Sequence, residues 1–319
     1  VKGRFMMNNK YLLTVIIPVY NTEKYIKRCI DSILNQSFKY IKIIIINDNS
    51  TDRSSSIIHK FSSYEQVKII ENSYNIGQGE SRNIGLNLVD TDYFCFLDSD
   101  DWVDTQAYET AVKALEENPI CDIAIFGIKT EYENSSCSTL RYDYNNNIID
   151  GDFAINLLSR ETSQDTPISA LIGNKVFRNS SFDKTIKFSN LTYEDTIFSY
   201  KALSKCKKVI LLPKTYLHYY QRESSIMHSF SYKYIDDLID NFVDLKDYLC
   251  EISSFNTKQY YSYFDKCCSS MLNSMLISTQ NASEQKEYIN HLCSQVISRM
   301  SIKDLINYLD INRIRKLLY

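Results

Sequence analysis

The chain has 319 residues, 44% of them hydrophobic, and its 36 Lys and Arg against 39 Asp and Glu leave a formal charge of −3. That length exceeds one average domain and supports a substantial core, while the charge balance, with no basic stripe interleaved with aromatics, excludes a nucleic-acid binder. Nine cysteines, an odd total with no Cys-x-x-Cys pair, point to free thiols in a reducing cytoplasm, and adjacent Cys267-Cys268 cannot form a zinc site alone.

Leu12–Val19 is an apolar, β-rich run, Glu23–Leu34 carries helical periodicity through Tyr25, Ile26, Cys29, Ile30 and Ile33, and Ile41–Ile46 is again wholly apolar. The spacing predicts a helix over Ser54–Phe61, a strand over Val67–Ile70, a helix over Glu80–Leu88, a strand over Tyr93–Leu97 and a helix over Thr105–Glu117 stopped by Asn118-Pro119. Alternation of this kind implies right-handed parallel units in a doubly wound α/β sheet. Such sheets bind ligands at the carboxyl ends of their strands. There the Tyr93–Leu97 strand meets Asp98-Ser99-Asp100-Asp101. Side chains two apart on an extended segment point the same way, so Asp98 and Asp100 can converge on one hard divalent cation that also takes phosphate oxygens. The alternative is a solvated acidic turn.

The same edge carries Pro18-Val19-Tyr20-Asn21, then Asn47-Asp48-Asn49-Ser50-Thr51-Asp52, then Asn75-Ile76-Gly77-Gln78-Gly79 with Ser81-Arg82-Asn83. No G-x-x-x-x-G-K-[ST] and no G-x-G-x-x-G follows the first strand, which sets aside a P-loop ATPase and a dinucleotide dehydrogenase; the glycine-rich signature of a sugar nucleotidyltransferase is missing there too. With Leu97–Asp101, these segments cover residues 13–104 in order, and the set resembles glycosyltransferase family 2. The resemblance implies a GT-A fold: a Rossmann-like, doubly wound, mostly parallel sheet with a nucleotide-sugar-binding half over 12–104 and an acceptor half over 105–226.

Residue by residue, the resemblance implies that Pro18, Tyr20 and Asn21 frame the nucleoside, with Glu23 near the ribose. Asp48 would accept from the imide N–H of uracil, and Arg82 would meet the base or diphosphate through its guanidinium fork. Asp98 would lie near the ribose or sugar beside Ser99, and Asp100, with Asp98, would hold Mn2+ or Mg2+. Local chemistry leaves other readings open: Asp48 and Asp52 as caps of the helix near Arg53, and Arg82 as a solvated helix charge. Further on, Leu191-Thr192-Tyr193-Glu194-Asp195-Thr196 resembles the family's Glu-Asp element, which makes Asp195 the general base and Glu194 its neighbour; paired acids opening a helix are also ordinary dipole partners. A carboxylate of ordinary pKa, about 4, is a weak base for an alcohol and would have to act late in the attack. Tyr219–Ile226 resembles the family segment that folds over the diphosphate, with Arg222 and Ser225 matching and Ser224 standing where glycine is frequent. His218 and His228 flank it as candidate metal ligands or ordinary structural groups. Asn174–Phe177 resembles an Asn-Lys segment of the acceptor half, with Lys175 facing substrate or solvent.

A helical appendage is expected over 231–319. Tyr234, Ile235, Leu238, Ile239, Phe242, Leu245 and Leu249 recur at helical spacing, with Asp236, Asp237, Asp240 and Asp244 on the remaining faces. That face would pack on the catalytic domain or on a partner, a homo-oligomer included. Ile311–Tyr319, with Arg313, Arg315 and Lys316, allows either a membrane-surface contact or an ordinary C-terminal helix. Val1–Lys10 is polar, so no signal peptide is expected, and no run reaches the length of a transmembrane helix. The expectation is a cytoplasmic enzyme, with a peripheral place at the inner face of the membrane as an option. It would be inverting and metal-dependent, moving a hexose or N-acetylhexosamine from a UDP-sugar to a hydroxyl of a surface-glycan acceptor. The alternative is a catalytically silent GT-A domain that binds nucleotide sugar or scaffolds other glycan enzymes.

Overall fold

The computed structural model describes residues 10–132, 138–142, 147–159, 167–221, 231–254, 256–278 and 281–299. Its first half runs β1 (Leu13–Val19), α1 (Ile26–Leu34), β2 (Ile41–Asn47), α2 (Ser54–Ile58), β3 (Val67–Glu71), α3 (Gln78–Asn87), β4 (Tyr93–Phe96), β5 (Trp102–Val103) and α4 (Ala107–Glu117). The second half adds β6 (Ile123–Tyr132), β7 (Ser138–Leu140), β8 (Ile148–Asp150), α5 (Gly151–Leu158), β9 (Lys175–Arg178), α6 (Glu194–Lys205) and β10 (Lys208–Gln221). Three helices follow: α7 (Tyr232–Glu251), α8 (Thr257–Ser278) and α9 (Ala282–Arg299).

One sheet runs through the molecule in the order β3-β2-β1-β4-β9-β6-β10-β5, with β7 on β6 and β8 on β10. The pairs among β3, β2, β1 and β4 are all parallel. Every residue of β1 is buried, as a strand covered on both faces requires. Pro18 lies beyond the last β1–β4 pair, Ile16 with Phe96, so its missing N–H costs no ladder bond on that side. Past β4 the sheet is mixed: β9 enters antiparallel to both β4 and β6. β10 pairs parallel with β6 through irregularities at Leu212–Leu217, then pairs antiparallel with β5. That bent strand brings His218 opposite Trp102, beside the acid cluster that ends β4.

The two sheet faces bury separate cores. One packs α1 and α4; the other joins Ile16, Phe94 and Phe96 to α5, α6, α7, α8 and α9 without a break as far as Val296. Within it Phe188 and Phe198 stack at 3.8 Å and Phe177 lies on Phe94 at 5.0 Å. The α7 face foreseen for the catalytic domain or a partner, Ile235 to Leu249, is sealed inside this chain. Residues 231–299 thus continue the catalytic core, and the α7 stripe is not open to a second subunit or a lipid surface. Ile311–Tyr319 lies outside the described residues. No helix among the described residues is long and apolar enough to cross a membrane.

Candidate functional site

The loops after β1, β2 and β3 brace one another. Asn21, in the left-handed region at φ 50°, accepts the Thr51 N–H at 2.8 Å through Oδ1 and donates its own N–H to Ser50 Oγ at 3.1 Å. Glu23 accepts from the Arg53 N–H at 2.9 Å, and Asp52 accepts from the N–H groups of Glu23 and Ser54. Asn21 and Glu23, expected at nucleoside and ribose, are therefore used in joining two loops. Tyr20 is 47% exposed at this edge.

Asp48 is 2% exposed and does not cap the helix near Arg53. It accepts from Asn72 Nδ2 at 2.8 Å and from the N–H groups of Ile76 and Gly77, both at 2.9 Å. Three of a carboxylate's roughly four acceptor positions are taken by the loop before α3. The glycines opening that helix answer to packing: a Cβ on Gly77, whose φ is 93°, would stand 2.4 Å from Asn190 Oδ1, and one on Gly79 would stand 2.1 Å from the Ser189 carbonyl.

Arg82 overturns both expectations for it. Only 1% exposed, it is neither a solvated charge nor open to a base or diphosphate. It donates to Asp98 Oδ1 and Glu194 Oε1, each at 2.6 Å, and its Cζ lies 5.1 Å over the Phe188 ring. Burial acts to lower its pKa, but the charges of Asp98, Glu194 and Asp195 outweigh it and hold the guanidinium firmly protonated. One cation thus ties the acid cluster after β4 to the acid pair that opens α6. Arg82 Nε is buried without a hydrogen-bond partner. Asp98 also accepts from Gln78 Nε2 at 3.1 Å, Ser99 is buried, and Asp100 is half-buried with its backbone carbonyl taking Arg28 at 2.9 Å.

Asp195 sits in the first turn of α6, half-buried, where it accepts the Thr196 N–H at 2.7 Å. Burial pushes its carboxyl up to about 7; the Glu194 charge adds to this and Arg82 opposes it. The ordinary carboxylate foreseen from sequence is thereby corrected to one whose pKa lies near neutrality. Its loop is held from α7. Asn241 Nδ2 donates to the Thr192 carbonyl at 2.7 Å, Ser189 Oγ donates to Asn241 Oδ1 at 2.7 Å, and Asp237 accepts from the Thr192 N–H and hydroxyl at 3.0 and 2.8 Å. Between these anchors and α6, Tyr193 is forced to φ 69°, a conformation that non-glycine residues keep only when neighbours over-determine it.

Asp195 opens on a cavity of about 450 Å3 bounded by the 167–171 segment, Tyr219, Leu238 and α8. Lys175 supports one wall from beneath: 1% exposed, it donates to the carbonyls of Ser169 and Leu171 at 2.7 and 2.6 Å, so it faces neither substrate nor solvent. Burial pushes its pKa down to about 7, with the Asp195 charge raising it and Lys266 lowering it. Two clefts of about 540 and 590 Å3 beside Pro213–Tyr216 are larger, but neither includes a residue of this acid constellation.

Three groups here escaped the sequence reading of the site. Asp101 is buried and accepts the Tyr220 N–H at 2.9 Å; burial, with Asp100 and Asp98 nearby, pushes its carboxyl well above the usual range. Tyr219 lines the cavity among Asp101, Asp195, Asp98 and Asp100, and burial raises its hydroxyl. Arg28 lies 3.6 Å over Trp102, on which His218 also stacks at 4.7 Å. His218 bonds Glu131 at 2.9 Å and Asp104 at 3.1 Å, which occupies both ring nitrogens as a structural group. The third acid of Leu97–Asp101 and the polar run at the end of β10 were the available signals. Arg222, Ser225 and His228 lie outside the described residues.

The family model for glycosyl transferase family 2 matches residues 14–180. The chain belongs to that family. Among curated proteins it is 31% identical over 233 residues to glycosyltransferase GlyA of Streptococcus pneumoniae, covering 72% of this chain and 33% of that one. It is 29% identical over 276 residues to the minor teichoic acid biosynthesis protein GgaA of Bacillus subtilis, covering 82% of this chain and 54% of that one. The chain thus spans between a third and about half of these relatives. A crystal structure of S. aureus TarS 1-349 in complex with UDP-GlcNAc superposes with a TM-score of 0.70 over 93% of this chain and 89% of that one, at 20% identity, which establishes the shared GT-A fold.

The family implies a divalent metal, and the chemistry of the donors suits one. Asp98 and Asp100 at the end of β4 are hard oxygen ligands, although Asp98 already serves Arg82 and Gln78. No cluster of three or more His, Cys, Asp or Glu able to hold an ion occurs among the described residues. Asp98 and Asp100 would supply two oxygen ligands to such an ion.

Proposed function

We propose that the chain is an inverting glycosyltransferase that moves a hexose or N-acetylhexosamine from a UDP-sugar to a hydroxyl of a cell-surface glycan. The observation that carries this reading is the single buried guanidinium, Arg82, spanning the strand-end acids and the base-bearing helix, with Asp195 tuned to about 7 at the mouth of a cavity. The TarS complex with UDP-GlcNAc supports the donor class, and the name of GgaA supports a surface-glycan product.

Tyr20 is exposed to stack on the base, while Asp48, with one acceptor position left, offers it a carboxylate oxygen. Asp100, with Asp98, would hold Mn2+ or Mg2+, which supplies charge neutralisation for a departing diphosphate. Asp195 takes the proton of the acceptor hydroxyl as its oxygen attacks the anomeric carbon from the face opposite UDP, giving one in-line displacement and inversion. The proton is held at an Asp195 oxygen until solvent removes it. Arg82 keeps that carboxylate charged enough to accept it, while the Glu194 charge raises its affinity for the proton.

The test is a screen of UDP-sugars for hydrolysis and transfer by mass spectrometry, with UDP calorimetry in the presence and absence of Mn2+. Transfer from at least one α-linked UDP-sugar to give a β-linked product is expected. UDP affinity that ignores Mn2+, in the native protein and in Asp100→Ala alike, would remove the metal role. UDP binding without transfer or hydrolysis would favour the silent-domain alternative.

A further inference from the structure

The cavity at Asp195 has a composition that narrows the acceptor. Its lining is mostly apolar and aromatic and includes Ile168, Leu171, Tyr219, and Tyr263 and Met271 of α8. Tyr263 also donates its hydroxyl to the Thr196 carbonyl at 3.1 Å, which locks α8 against the turn that carries Asp195. Among the described lining residues the only cation is Lys266, and its Nζ donates to the Leu158 carbonyl at 2.5 Å. The other nearby ammonium, Lys175, is consumed beneath the wall by the Ser169 and Leu171 carbonyls and by Asn174 Oδ1.

A phosphate-bearing acceptor calls for converging Arg and Lys forks. An apolar cleft of this size with a few polar groups instead suits a small neutral body with an apolar face and peripheral hydroxyls. Resting on the glycosyl-transfer reading above, we propose that this cavity is the acceptor pocket, that it takes an uncharged pyranose ring with one hydroxyl directed at Asp195, and that α8 is its specificity wall. A sugar ring meets the requirement through its C–H face, which packs on aromatic and aliphatic side chains, while its hydroxyls reach Asp195, Ser169 and Ser270. The acceptor would then be a terminal sugar of a glycan, in preference to a polyol phosphate backbone.

Ser270 is an exposed lining residue, so an added side chain there enters the cavity without disturbing the core. The experiment uses the full chain with UDP-GlcNAc, UDP-glucose and UDP-galactose as donors, and compares p-nitrophenyl hexosides and N-acetylhexosaminides with ribitol 5-phosphate and glycerol 3-phosphate as acceptors. Native protein is expected to glycosylate sugars and to leave both polyol phosphates untouched. Ser270→Trp should lower kcat/KM for the sugar acceptor by about tenfold or more, chiefly through KM, with UDP affinity within about twofold. Ser270→Gln, a smaller obstruction, should give a lesser loss and serves if the Trp variant does not fold. Polyol phosphates preferred over sugars, or normal transfer by both folded variants, would overturn the proposal while leaving glycosyl transfer intact. A native protein that neither binds UDP nor hydrolyses any donor would instead defeat the underlying reading.

Discussion

The edge proposed to hold the donor and the side proposed to carry the base are built differently. The loops after β1 and β2 fasten to each other through Asn21, Ser50 and Asp52 and leave Tyr20 at the surface. The base side borrows its rigidity: Arg82 from α3, Asp237 and Asn241 from α7, and Tyr263 from α8 all converge on the turn that holds Glu194 and Asp195. A reading loop can be local and exposed, because stacking on a base needs only a free ring. A base with a raised pKa must be buried, and burial of charge demands partners from several elements.

If that contrast holds, substitutions on the base side damage chemistry and folding, whereas those on the donor edge damage affinity alone. The largest effect is expected from Asp195→Asn, which should reduce transfer by a factor on the order of 10² to 10⁴ with UDP affinity preserved in calorimetry. A carboxyl raised to about 7 is protonated and idle below that pH, so native kcat/KM should climb as pH rises through about 7. The residual rate of Asp195→Asn should lack that limb, and a native profile flat between pH 6 and 8 (roughly one unit either side) would contradict the tuned base.

Next comes Arg82→Ala, which leaves Asp98 and Glu194 facing one another without their cation. Denaturant unfolding should register a loss of about 3–5 kcal/mol, and a loss below about 1 kcal/mol would mean that the acids relax into water and the site is more open than its 1% exposure implies. Asn241→Ala strips partners from the Thr192 carbonyl and Ser189 hydroxyl; a cost of about 1–3 kcal/mol is expected, together with a lower kcat at unchanged donor affinity. Equal losses in kcat and donor binding would place the α7 clamp on both regions and erase the contrast. The smallest structural effect belongs to Tyr20→Ala. Its melting curve should stay within about 0.5 kcal/mol of native, while UDP binding weakens by about 1–3 kcal/mol if the ring stacks on the base.

Much of the donor half was readable from sequence because burial there is local and periodic. The runs Ile41–Ile46 and Tyr93–Leu97 are apolar throughout, and the observed β2 and β4 match them to within a residue. The antiparallel entry of β9 between β4 and β6 was not readable: a four-residue strand, Lys175–Arg178, has no period long enough to announce its partners. Charged side chains misled for a related reason. Arg82 and Asp237 look like solvated groups when only their own helices are considered, and each is held by partners dozens of residues away; Lys175 looks the same and is held by the carbonyls of Ser169 and Leu171. One trace of this did exist in α3, whose buried side includes Gly79, Ser81, Arg82, Asn83 and Gly85, a polar and small set that makes sense only against close packing and a buried ion pair. The acids at 98, 100 and 195 were legible as a set through the family resemblance, but the link of Asp98 to Glu194 through Arg82 was not.

The anchoring of Thr192 by Asp237 and Asn241 also fixes an order of events during synthesis. Strands β1 to β4 and the loops that brace one another are complete once residue 97 has left the ribosome, and a nascent chain can form that half from near neighbours. The turn around Tyr193 cannot settle into its left-handed conformation until α7 has emerged behind it. A growing chain therefore completes its braced strand-end loops well before the turn that carries Asp195 can be held in place.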